Sequence, residues 1–85
     1  MSAGVDPEDV SATAQRLARA AMSLARAGSD PTGAATVLMG LGGSDKEAVR
    51  LARARCLAAS DQDPGDWAAR NAGEFLDTLL RRLES

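Results

Sequence analysis

The sequence predicts an all-α protein: a compact four-helix bundle, mostly antiparallel, with a short second helix. Three observations carry that reading. Helix-start signals occur four times, at Asp6-Pro7, Asp30-Pro31, Ser44-Asp45-Lys46-Glu47 and Asp63-Pro64. Asp at an N-cap accepts a backbone N–H bond, and Pro at N1 has no N–H to leave unsatisfied; Ser44 with Glu47 has the spacing of a capping box. Strand formers are scarce: 18 Ala and 10 Leu stand against four Val, four Thr, no Ile and no Tyr, whereas sheets draw on β-branched and aromatic residues. Finally, apolar residues recur at helical spacing within the capped runs.

The first helix is expected from Pro7 to about Ala27, with Gly28 as its C′ residue. Val10, Ala14, Leu17, Ala21 and Leu24 share one face, while Arg16, Arg19 and Arg26 fall opposite. An inner face made largely of Ala lets a neighbouring helix approach closely. The second helix, about Thr32 to Leu41, is weakened by Gly33 and Gly40 and ended by Gly42-Gly43. Its nearly continuous Val37, Leu38, Met39 and Leu41 suit a segment buried on several sides.

The third helix is expected over about 45–59, with Ala48, Val49, Ala52, Cys56 and Ala59 inward and Lys46, Arg50, Arg53 and Leu57 along the opposite stripe. The fourth, about 64–84, has the clearest pattern. Ala68, Ala72, Phe75, Leu76, Leu79 and Leu83 form a wide apolar face, and Asp66/Arg70, Arg70/Glu74 and Asp77/Arg81 are i,i+4 pairs of opposite charge. Eighty-five residues of this kind make one small domain.

Charge and composition narrow the function classes. The net charge is −2 and the isoelectric point about 4.9, which argues against general affinity for nucleic acid or membranes. The distribution is uneven: residues 10–28 carry three Arg and no acid, and residues 61–66 carry three Asp and no base. One Cys cannot form an internal disulfide. The acidic N-terminus lacks the apolar core of a signal peptide, and no apolar run approaches the ~20 residues that span a bilayer. The expectation is a cytoplasmic protein without a membrane span.

No catalytic, cofactor or metal site is expected. The chain has no His and no Tyr, so the commonest general base is missing, and Cys56 reads as a small buried hydrophobe. Asp61–Asp66 lacks the Gly at position 6 and the bidentate Glu at position 12 of a calcium loop. Gly28–Gly33 has the outer spacing of a P-loop, but Ala34-Ala35 replaces its Lys-Ser/Thr.

Two surfaces remain. Trp67 lies about 130° from the inner face of its helix at 100° per residue; it either folds back over the preceding loop or marks a partner surface. With the Arg16, Arg19 and Arg26 face, it forms the candidate protein-binding set. The leading expectation is therefore a small non-enzymatic interaction module that acts through a protein partner or by forming a homodimer. The alternative uses Lys46, Arg50 and Arg53. Gly40-Leu41-Gly42-Gly43 has the look of a helix-turn-helix turn, and the following helix would present these cations to nucleic acid.

Two stretches carry family resemblances. Leu41-Gly42-Gly43-Ser44-Asp45-Lys46-Glu47-Ala48-Val49-Arg50-Leu51 resembles the region around the modified serine of peptidyl and acyl carrier proteins, which are acidic four-helix domains. In that pattern the serine follows Gly-Gly-Asp or Gly-Gly-His; here the aligned position is Asp45, with Ser44 one residue earlier. The resemblance implies a divergent carrier-like protein as a third reading. Residues Ala34 to Val49, with Val37-Leu38-Met39 and Ser44-x-x-Glu47-Ala48, are similar to the RNA-binding ANTAR domain of bacterial antitermination regulators. The Lys-Gly usual in that family is Ala35-Thr36 here. This resemblance implies RNA binding and supports the nucleic-acid alternative.

Overall fold

A computed structural model describes residues 7–85, and four helices follow one another: α1 (Pro7–Arg26), α2 (Pro31–Gly40), α3 (Lys46–Gln62) and α4 (Trp67–Glu84). No strand occurs among the described residues. The expected cap Asp6 lies outside them. Among the described residues no helix is long and apolar enough to cross a membrane.

α1 ends as its sequence predicts. Gly28 takes φ +79°, and the Ser29 and Gly28 amides donate to the carbonyls of Leu24 and Ala25 at 3.0 and 3.1 Å, the paired bonds of a Schellman motif. Asp30 caps α2, its carboxylate accepting the Gly33 amide at 3.2 Å, with Pro31 in the first turn.

Three local expectations are corrected. The cap of α3 is Asp45, whose carboxylate accepts the Glu47 and Ala48 amides at 3.1 and 3.3 Å. Ser44 makes no capping box, because an ionised acceptor suits the positive end of the helix better than a hydroxyl. Glu47 is drawn instead to Arg50 at 2.7 Å. α3 also runs on to Gln62 and stops at Asp63 (φ −134°, ψ 89°), since a residue before proline is pushed out of the helical region. α4 accordingly begins at Trp67, capped by Asp66 through the Ala69 amide at 3.1 Å. Asp63 closes the turn ahead of it, its carboxylate taking the Gly65 amide and its carbonyl the Asp66 amide.

One core joins the four helices. Leu17, Leu38, Val49, Leu76 and Leu79 are its largest fully buried side chains. Ala14, Ala21, Ala34, Ala48, Ala52 and Ala72 fill the seams between them. α4 packs on each of the other three helices; α2 packs on α4 and α1 but not on α3. That position corrects the burial expected of α2. Leu38 is buried, whereas Val37 is 49% and Leu41 37% exposed. At Gly73 a Cβ would come within 3.0 Å of Leu57 Cδ2, so its lack of a side chain lets α3 and α4 close together there.

Candidate partner interface

From Val10 onward, α1 carries cations and no acid on its outward side. Arg16, Arg19 and Arg26 are exposed, and among the described residues no carboxylate lies within ion-pair distance of any of them. Ala12, Gln15, Arg16 and Arg19 frame a shallow depression of about 300 Å³. Beside it, where α1 meets α3, a second concavity of about 170 Å³ is lined by Ala18, Met22, Cys56 and Ala59, with Arg19 and Arg55 completing it. Arg55 is anchored by donating to the Ser11 hydroxyl at 2.9 Å and the Ser11 carbonyl at 3.4 Å. The groove thus has an apolar floor and two guanidinium groups along its lining.

Cys56 belongs to that floor. Burial, followed by the negative charge of Asp66, pushes its thiol from 9.0 up to about 11. A thiol held in that form is a poor nucleophile.

Trp67 is 54% exposed. Starting α4 three residues later than expected leaves the indole in the first turn of the helix, where it does not fold back under cover. Asp61 in the last turn of α3, and Asp63 and Asp66 in the turn that follows, precede it in the chain, and Arg70 donates to the Pro64 carbonyl at 3.3 Å. The expected Asp66/Arg70 and Arg70/Glu74 pairs are absent among the described residues, while Asp77 and Arg81 meet at 2.8 Å.

The stripe on α3 is less open than its sequence suggests. Arg50 is held by Glu47 at 2.7 Å and Glu84 at 3.5 Å, and Arg53 by Asp77 at 3.4 Å. Lys46 is the one cation of the three without such a partner among the described residues. Ser44, in the carrier-like stretch, is exposed in the turn before α3. No group of three or more His, Cys, Asp or Glu side chains among the described residues is placed to hold a metal ion.

Sequence reading found the α1 cations and Trp67 but missed the groove beside them. Met22, Arg55 and Cys56 become neighbours only when α1 lies against α3, and no local pattern encodes that pairing. Comparison with family models, curated proteins and solved structures finds no match to this chain.

Proposed function

We propose that this protein is a small, non-enzymatic, cytoplasmic interaction module whose work is to bind another polypeptide. The observation that carries the reading is Trp67: a large aromatic side chain left 54% exposed on the rigid first turn of a capped helix. Aromatic anchors of this kind are enriched at binding hot spots. Arg16, Arg19 and Arg26, which have no carboxylate partner among the described residues, add exposed charge of the type that sets specificity and association rate. Binding is favoured over catalysis by the chemistry present. The chain has no His, and its single thiol is held in the unreactive form.

The nucleic-acid reading draws less support, because carboxylates already hold Arg50 and Arg53. Phosphate binding there would have to displace them.

The test is affinity capture from source-cell lysate with and without nuclease, using the wild-type chain and Trp67→Ala. A stoichiometric protein (untagged copies of the chain included) that survives nuclease and is lost with Trp67→Ala is the expected result. Retention of nuclease-sensitive nucleic acid that disappears in the double variant Arg50→Ala/Arg53→Ala would favour the alternative. Capture of nothing would sink the interaction-module reading.

A further inference from the structure

We infer that the groove between α1 and α3 receives the Asp61–Trp67 corner of a second copy of this chain. The inference rests on the interaction-module reading and names its partner. Two complementary surfaces stand on one molecule. The groove offers an apolar floor of Ala18, Met22, Cys56 and Ala59 beside Arg19 and Arg55, and Arg16 extends the positive charge along α1. Neither Arg19 nor Arg55 has a carboxylate partner among the described residues. The corner offers an exposed indole preceded in the chain by Asp61, Asp63 and Asp66, with Arg70 donating to the Pro64 carbonyl. An aromatic anchor preceded by acids complements a small apolar concavity flanked by guanidinium groups in chemistry and in sign of charge.

The two surfaces also lie close together. Ala59 lines the groove in the last turns of α3, and Asp61 follows two residues later on the same helix. Neighbouring patches of this kind can be exchanged reciprocally across a two-fold axis, each corner entering the other copy's groove. Such an exchange closes the assembly at two copies instead of propagating a chain. With small surfaces on both sides, the dimer belongs to the weak, transient class. Its charge pairing makes it salt-sensitive.

Sedimentation velocity on the full chain, from micromolar to millimolar concentration at low and high salt, tests this directly. The mass is expected to rise with concentration from the 8.8 kDa monomer towards twice that value, and to rise less at high salt. Arg19→Glu and Trp67→Ala each alter an exposed side chain, and circular dichroism checks that both variants stay helical. Each is expected to weaken association about ten-fold or more, equivalent to about 1.4 kcal/mol. Mixing Arg19→Glu with Asp61→Arg restores association, because each reversed surface then meets its new complement. A monomer at millimolar concentration in low salt overturns the inference, as does association indifferent to both variants. If that monomer still captures a different protein from lysate, self-pairing fails while the interaction-module reading stands; a monomer that captures nothing ends both.

Discussion

A methyl group placed on Gly43 would sit 2.6 Å from the Leu38 carbonyl oxygen and 2.7 Å from Leu79 Cδ2. Neither neighbour can give way without disturbing the end of α2 or the core, so Gly43→Ala should cost about 1–3 kcal/mol through overpacking. Three residues earlier, Gly40 has nothing within 4 Å of the corresponding position and a negative φ. Gly40→Ala should therefore stabilise, by up to about 1 kcal/mol, through a better helix propensity and a less disordered unfolded chain. Urea titration of the two variants checks both signs. Cys56 gives a second prediction at this scale. With its thiol at about 11 in place of 9.0, the thiolate fraction near pH 8 falls on the order of 100-fold. Alkylation by iodoacetamide should be slower by at least that factor in the native chain than in urea. The native state keeps the proton between about 9 and about 11 while the unfolded state gives it up. The stabilising contribution is thus complete below pH 9 and is lost as pH rises through that interval. Cys56→Ala should lack this component of alkaline destabilisation in a pH series of urea midpoints.

At the level of the helix, competition between neighbouring caps decides where α3 and α4 begin. Asp45→Ala removes the acceptor for two amides at the start of α3 and should cost about 1 kcal/mol, whereas Ser44→Ala should change thermal stability by a few tenths at most. The same contrast applies one helix on. Asp66→Ala removes the cap of α4 and should destabilise more than Asp63→Ala, which loses one amide bond within a turn. Equal effects within either pair would contradict this assignment of the caps. These pairs also show what the sequence makes legible. Every helix was announced by an acceptor followed by a helix-forming run, so the number and order of helices could be read directly. The starts could not, because Ser44 and Asp45, and likewise Asp63 and Asp66, both satisfy the capping rule. Choosing between them depends on which carboxylate the turn itself consumes. Trp67 illustrates the consequence: moving the start of α4 from Pro64 to Trp67 turns a residue with two possible fates into an exposed one.

Across the whole molecule the helices differ in how firmly they are held, and this was less legible than the helices themselves. The run Val37-Leu38-Met39 reads as a buried segment in isolation. Only the packing shows that α2 has α4 and α1 as neighbours and lacks α3, which leaves Val37 and Leu41 to solvent. The groove beside Arg19 was hidden for the same reason, since it is a property of two helices that are distant in sequence. α2 buries Ala34, Ala35 and Leu38, contains two glycines, and is tied to α4 outside the core by one side-chain bond, from Arg82 to the Thr36 hydroxyl at 3.3 Å. α4 buries eight residues and touches every other helix. Local opening should follow this difference, because segments with few buried apolar contacts exchange through partial unfolding below the global free energy. Native-state hydrogen exchange should find the α2 amides opening well before those of α4. Leu38→Ala and Leu76→Ala each remove a fully buried leucine, at about 2–5 kcal/mol, yet they should act differently. Leu76→Ala sits in the helix that stays folded when α2 opens alone, so it should lower the slowest amides of α3 and α4 by its full cost and the α2 amides by less. Leu38→Ala lies in the element that opens first, so it should lower protection in α2 and, by the same free energy, in the slowest amides of α3 and α4, whose exchange also requires α2 to open. If α2 proves as protected as α4, and both substitutions lower every amide alike, the four helices unfold as a single cooperative unit.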